Sequence, residues 1–320
     1  MLLHPTGFNL YIYMISLEGV SKSYGSKKAV DAVSLQANHK EILVLLGISG
    51  CGKTTTLKMI NRLIEADTGT ILIDGKNIKD QKPEHLRQSI GFVMQHSGLF
   101  PHYTVEQNIA ITPNLLKWEK KKITDRTHEL LEKLHLPENI LKQYPNELSG
   151  GQQQRVGIAR ALIVDTPVLL MDEPFGALDT ITKQAIHNEF KNLDELKNKT
   201  TILVTHDVIE AFELGQRICL MDNGKIIQIG SPTEILYNPE NEFVKDFFAT
   251  NRLMLEHKIV SLKAIEPFLK SPISAGAQQL VNEKSNVWEA LQTLSIQNKY
   301  AEDYDVILHA FNHYRKLQAV

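Results

Sequence analysis

The first part of the chain carries short apolar or alternating runs, at Ile15–Val20, Ala32–Gln36, Ile42–Leu46 and Thr70–Ile73. Turn signals such as Asp74-Gly75 separate them, and the pattern predicts β-strands. Further on, almost wholly apolar runs at 90–95, 168–171 and 201–205 are set between helical stretches. Strands buried on both faces and alternating with helices predict a mostly parallel α/β core. A hairpin over 217–229, turning at Asp222-Asn223-Gly224, closes that core. Between Thr104 and Val164 the period becomes helical, with charged amphipathic segments such as Lys121–Leu134. We read residues 96–165 as a helical subdomain inserted in the core. After Thr250 a Pro-interrupted mixture without internal repeats runs to Val320.

Composition narrows the picture. A chain of 320 residues accommodates one large domain and a small one. The formal net charge of -2 lacks the basic footprint of a nucleic-acid binder, so no nucleic-acid partner is expected. Two cysteines, Cys51 and Cys219, suit a reducing compartment better than a disulfide framework. No stretch approaches the ~20 apolar residues of a membrane-spanning helix. Residues 1–13 are apolar but contain Pro5 and Gly7 and lack a basic start, so they read as an extension ahead of Met14, not as a signal peptide.

The chemistry starts at Gly47-Ile48-Ser49-Gly50-Cys51-Gly52-Lys53-Thr54, which follows the strand Ile42–Leu46 and fits G-x-x-x-x-G-K-[ST]. Glycines let backbone N–H groups close around phosphates, Lys53 supplies a positive charge, and the Thr54 hydroxyl can ligate Mg²⁺. A helix read over 54–64 would add its N-terminus to the same anion site. Cys51 satisfies the need for a small residue, and its position near Lys53 and a helix start also suits a reactive thiol. Val168-Leu169-Leu170-Met171-Asp172-Glu173 is an apolar strand ending in two acids. That pair serves either as a helix N-cap signal or as a metal partner (Asp172) beside a general base (Glu173).

Leu148-Ser149-Gly150-Gly151-Gln152-Gln153-Gln154-Arg155 opens a second helix with a second anion-ready N-terminus. It resembles the signature motif of the ATP-binding-cassette ATPases, and the resemblance extends over residues 15 to about 248. It implies an ABC-type P-loop domain over 14–250, a mixed-sheet α/β core with the helical insertion, and a small C-terminal α/β region. ATP and Mg²⁺ are the implied cofactors. Tyr24 would stack on adenine, residues 47–54 with Thr55 would hold the phosphates, and Gln95 would join Thr54 and Asp172 around the metal. Glu173 would be the base, His206 the switch that contacts the γ-phosphate, and Asp179 part of the loop that communicates across a dimer. In that dimer two copies pack head to tail, so that Ser149, Gly150, Gly151 and Gln152 of one face the nucleotide of the other.

The segment Phe100-Pro101-His102-Tyr103-Thr104-Val105 with Asn108 resembles the surface that importers present to a coupling helix. The implied setting is the cytoplasmic face of the inner membrane, held there by two transmembrane permease subunits and fed by an extracytoplasmic solute-binding protein. Lys58–Ile64, Gly98–His102 and the three consecutive glutamines narrow the likeness to importers of glycine betaine, choline and carnitine. Importers of methionine, polyamines or phosphonates stay open as alternatives, with non-transport ABC ATPases behind them. The subfamily usually carries a pair of cystathionine-β-synthase-type modules. The 70 residues after Thr250 are short for a pair, although Asn286–Leu291 resembles the helix that opens one. Residues 251–320 are therefore read either as a degenerate regulatory module or as a tail packed on the catalytic domain or its mate.

Overall fold

A computed structural model describes residues 13–95, 98–176, 183, 186, 187, 190, 191, 193–281 and 285–318. The chain forms two compact units, residues 1–227 and 228–320. In the first, β1 (Tyr13–Tyr24), β2 (Lys27–Asn38), β4 (Thr68–Ile73) and β5 (Lys76–Asn77) make an antiparallel sheet in the order β2-β1-β4-β5. The second sheet holds β3 (Ile42–Leu46), β6 (Ile90–Val93), β7 (Val168–Asp172), β8 (Thr200–Thr205) and β9 (Arg217–Asp222). With β10 (Lys225–Gly230), in which the chain leaves the first unit, its order is β10-β9-β3-β8-β7-β6. The strands from β9 to β6 pair in parallel.

Side-chain burial follows the two sequence patterns. Every residue of β7 and β8 is buried, as expected of strands covered on both faces. In β2 buried and accessible positions largely alternate, as in a sheet with one face packed. The helix after β3, α1, spans Lys53–Ile60 and stops four residues short of the expected end. Its cause is a C-terminal cap. Arg62 adopts a left-handed φ of 49°, its N–H donates to Met59 O at 3.0 Å, and Leu63 N–H donates to Lys58 O at 2.9 Å. The guanidinium of Arg62 then bonds the carbonyls of Ile78 and Gln81, contacts that hold a conformation glycine would adopt more easily.

After α2 (Pro83–Gln88), the inserted segment supplies α3 (Val105–Leu115), α4 (Lys120–Lys133) and α5 (Gly150–Leu162). Thr104 and Gln107 form a capping box at the start of α3. In the second unit, helices at Pro232–Tyr237, Glu242–Ala249, Arg252–Ile259, Leu262–Ile265, Ala275–Leu280, Val287–Ser295 and Ala301–Gln318 follow β10. They gather a core that includes Val260, Ile265, Val287, Leu294, Ile307 and Phe311. The small C-terminal α/β region is thus helical in its described residues, with a single antiparallel bridge between Ser261 and Asn286 in place of a sheet.

One buried cation ties two strands that carry site residues. Lys199, 1% exposed and just before β8, donates to Thr166 O at 2.6 Å and to Asp165 Oδ1 at 2.5 Å, just before β7. Lys199→Met should lower unfolding free energy by about 1–3 kcal/mol, because the buried Thr166 carbonyl loses a charged donor. Urea titration checks this, and an unchanged midpoint would remove the tie from the account.

Candidate functional site

Parallel pairing brings the ends of several strands to one level. Leu46 pairs with Thr205, Asp172 with Val204, and Val93 with Met171. The segments that leave β3, β6, β7 and β8 therefore emerge together at the carboxyl edge, where open α/β sheets bind ligands. They carry residues 47–54, Gln95, Glu173 and His206.

The loop from Gly47 to Gly52 is packed closely from behind. A Cβ on Gly47 would lie 2.2 Å from Met221 O, and one on Gly52, at φ 108°, would lie 2.4 Å from Ala29 O. Gly224 stitches the same region, with its N–H donating to Cys51 O at 3.0 Å and its carbonyl accepting from Asp31 N–H at 2.8 Å. On the outer side Ile48, Ser49 and Gly50 are exposed, and nothing lies within 4 Å of a Cβ position on Gly50. Lys53 is buried, its ammonium donating to the carbonyls of Gly47 at 2.7 Å and Ile48 at 2.9 Å. Cys51 is buried and free, with Sγ 3.7 Å from Lys53 Nζ.

The amides of Gly50, Gly52, Lys53, Thr54 and Thr55 have no acceptor among the described residues. Such a cluster of donors at a helix N-terminus, with a lysine beside it, fits an oxyanion and hence the phosphates of a nucleotide. Thr54 Oγ1 donates to Asp172 Oδ1 at 2.7 Å, which sets two oxygen ligands side by side. That donor set suits a hard cation such as Mg²⁺. Burial pushes the Asp172 carboxyl up, against the Thr54 hydrogen bond and the charges of Lys58 and Lys53.

Glu173 has a left-handed backbone with φ of 46° while its N–H still donates to Val204 O at 2.9 Å. Such a conformation costs a non-glycine residue about 1–3 kcal/mol, and the strain turns the chain sharply where the strand ends. Gln95 Nε2 donates to Glu173 Oε2 at 3.2 Å, and His206 Nδ1 lies 3.1 Å from Glu173 Oε1. The carboxylate is thus held from both sides by residues from two other strand ends. Tyr24 ends β1 with its ring half exposed, on the hairpin whose second strand, through Ala29, backs the loop.

Ser149 caps α5 in a reciprocal box. Its hydroxyl accepts from Gln152 N–H at 3.2 Å, while Gln152 Oε1 accepts from Ser149 N–H at 2.9 Å. No hydrogen bond or ion pair joins Ser149, Gly150, Gly151 or Gln152 to residues 47–55 of the same chain among the described residues. Two residues along, Gln154 Nε2 reaches Glu173 O at 3.4 Å. Asp179 lies outside the described residues.

A charged network behind His206 has no counterpart among the sequence motifs. Asp207 Oδ1 accepts from the N–H groups of Ile209 and Glu210, capping the helix Val208–Leu214. Lys183 Nζ binds Asp207 Oδ2 at 2.6 Å and Glu210 Oε2 at 3.0 Å. Burial pushes the Asp207 carboxyl up, but the hydrogen bond and charge of Lys183 outweigh it and leave the group lowered. Glu210, 2% exposed, is raised by burial. An Asp just ahead of an apolar helical run is an N-cap signal that would have flagged Asp207. Lys183 carries no comparable mark.

A third feature is a groove of about 760 Å³ between α3, α4 and the loop before α3, lined by Phe100, Tyr103, Ile111 and Leu115 among others. Asn108 shapes its rim. The side-chain oxygen accepts from Phe100 N–H at 2.8 Å, and the amide nitrogen donates to the carbonyls of Phe100, Tyr103 and Thr104 at 3.0–3.1 Å.

Residues 30–176 match the ABC transporter family model. The chain is 48% identical over 272 residues to the glycine betaine/carnitine/choline transport ATP-binding protein OpuCA of Bacillus subtilis, covering 84% of this chain and 71% of that one. It is 44% identical over 270 residues to the glycine betaine uptake system ATP-binding protein YehX of Escherichia coli, covering 84% of this chain and 87% of that one. Among solved structures, a dimeric post-hydrolysis state of the ATP-binding cassette MJ0796 bound to ADP and Pi superposes with a TM-score of 0.63 at 34% identity. That likeness covers 68% of this chain and 98% of the other.

The raised Asp172 carboxyl gives a stability test. The folded chain holds more protons at this site than the unfolded chain between the ordinary carboxylate value and the raised one. The site's contribution is therefore full below the ordinary value and lost as pH rises through the raised one. Asp172→Asn keeps the Thr54 acceptor and removes the titration. It should be at least as stable as the parent at neutral pH, with a flatter profile from about pH 4 to 7. Denaturant titrations across that range check this, and a destabilised variant at neutral pH would contradict it.

Proposed function

This chain belongs to the ABC transporter family as an ATP-binding subunit, and on that premise we propose that it hydrolyses ATP to drive import of quaternary ammonium osmoprotectants, the glycine betaine, choline and carnitine class. The observation that carries the enzymatic reading is the meeting of Gln95, Glu173 and His206 beside the pair formed by Thr54 and Asp172. The substrate class rests on the relatives, whose names include glycine betaine, carnitine and choline.

In this reading the open amides of residues 50–55 and the Lys53 ammonium bind the β- and γ-phosphates, and Tyr24 stacks on the base. Thr54, Asp172 and Gln95 would hold Mg²⁺, which when bound neutralises charge on the phosphates. The Glu173 carboxylate, fixed by Gln95 and His206, accepts a proton from the attacking water at one of its Oε atoms. His206, on the far side of that carboxylate, meets the γ-phosphate and reports its loss. Ser149 and the α5 N-terminus of a second copy complete the site from across a head-to-tail dimer, with Asp179 in the loop between the two sites.

Coupling to transport falls to the groove beside α3. Its lining, apolar at Phe100, Ile111, Leu115 and Ile123 with polar groups such as Glu106 and Lys120 between them, and the rim folded by Asn108 suit a short amphipathic helix of a transmembrane permease subunit. No helix among the described residues is long and apolar enough to cross a membrane. The chain then reaches the membrane's cytoplasmic face by way of its two permease partners, and a solute-binding protein outside supplies the substrate.

Glu173→Gln should retain ATP binding and lose at least ~10²-fold in hydrolysis, the scale of a missing general base. Single-turnover kinetics decide this, and normal turnover would end the assignment. In cells lacking the gene, the unaltered chain should restore uptake of radiolabelled glycine betaine or choline, and Glu173→Gln should not. Asn108→Ala unties the groove rim, so ATP binding by the isolated subunit should persist while uptake falls several-fold. Full uptake in that variant would move the coupling surface elsewhere.

A further inference from the structure

The second unit contains a pocket of about 580 Å³ whose lining carries Arg252, Arg315 and Lys316 against a single carboxylate, Glu256. It opens between the helix Arg252–Ile259 and the helix Ala301–Gln318, beside the end of the helix Pro232–Tyr237. At its base Glu256, 1% exposed, orients two arginines. Arg252 Nε donates to Glu256 Oε1 at 2.9 Å, and Arg315 Nε sits 2.5 Å from Glu256 Oε2. The second contact is too bent for a hydrogen bond, which leaves Oε2 paired by charge alone. Both arginines use only Nε on the glutamate. Their terminal amino groups have no partner among the described residues.

Three other groups in the same pocket are also without partners among the described residues. The Asn312 amide and the Lys316 ammonium stand one and two turns along the stripe begun by His309, on the flank of the helix opposite the buried Ile307 and Phe311. The Tyr237 hydroxyl is buried and makes no hydrogen bond. Burial and the neighbouring Glu256 charge push that phenol up, so it stays a neutral O–H donor. A buried hydroxyl without a partner is costly, and an acceptor entering the pocket removes that penalty.

Three cationic side chains against one carboxylate leave a surplus of two positive charges, and the free groups are almost all donors. The guanidinium forks match tetrahedral oxyanions, and a neighbouring lysine adds a point charge. The volume falls within the range of small-molecule sites. We propose that this pocket binds a phosphate-bearing anion through Arg252, Arg315 and Lys316, with Tyr237 and Asn312 as neutral donors. The phosphate belongs either to a soluble phosphorylated metabolite or to the headgroup of a phospholipid.

The test uses the full chain carrying Lys53→Ala, so that the phosphate loop contributes as little as possible. Pyrophosphate is titrated calorimetrically at low salt into this protein and into versions that also carry Arg315→Gln or Lys316→Gln. Saturable binding that weakens at least tenfold in both versions is expected. Lys316 makes no hydrogen bond or ion pair among the described residues, so its substitution tests the pocket even where loss of Arg315 disturbs Glu256. No binding, or binding of equal strength in the Lys316→Gln version, overturns the proposal. Sedimentation with phosphatidylglycerol vesicles, against phosphatidylcholine vesicles, then separates the sources. Lys316-dependent pelleting with the former supports a lipid headgroup, and pyrophosphate binding without such pelleting supports a soluble ligand.

Discussion

Parallel hydrogen bonding between β3, β8 and β7 sets the level at which the site is built. Because Leu46 faces Thr205 and Asp172 faces Val204, the chain leaves three neighbouring strands within one residue of the same height. Each departing segment then needs only a short side chain to meet the others, as the 2.7 Å contact of Thr54 with Asp172 illustrates. Burial on both faces keeps this register from slipping, since a shift by one residue would exchange the faces of every side chain in β8. The Lys199 contacts lock the opposite ends of β7 and β8 in the same alignment.

Residues whose chemistry follows from local spacing are legible in the sequence alone. The glycines of residues 47–52 announce a loop that must approach other backbone, and Met221 and Ala29 supply the atoms they approach. The strand Ile42–Leu46 carries an apolar run bounded by Glu41 and Gly47, and its limits are those expected from that run. Features fixed by partners far away in sequence are less legible. Arg62 ends α1 early because its guanidinium finds the carbonyls of Ile78 and Gln81, which no window around residue 60 contains. Glu173 adopts its left-handed turn because Val204 accepts its N–H, and a glutamate does not advertise positive φ. Lys183 joins the network through Asp207 and Glu210, a pairing that only tertiary packing reveals.

Helical periodicity after Thr250 is masked by prolines and short segments. Pro267 stands inside a short 3₁₀ turn, and helices such as Leu262–Ile265 and Ala275–Leu280 are too brief to display a clear repeat. The core of Val260, Ile265, Val287, Leu294 and Phe311 draws on several of these pieces at once. Its existence is a property of their sum.

The reciprocal cap at Ser149 bears on how the proposed dimer of two copies would hold together. Its hydroxyl already accepts a hydrogen bond from Gln152 and retains a proton to give, while Gln152 occupies the Ser149 N–H. In the head-to-tail dimer proposed above, a phosphate arriving from a second copy would meet a helix end that is ordered in advance, so little conformational freedom would remain to be lost on contact. The same arrangement survives departure of the phosphate, because the cap is self-sufficient. In that proposed dimer such an interface would close and reopen without refolding, which suits a machine that must cycle rather than an assembly that must last.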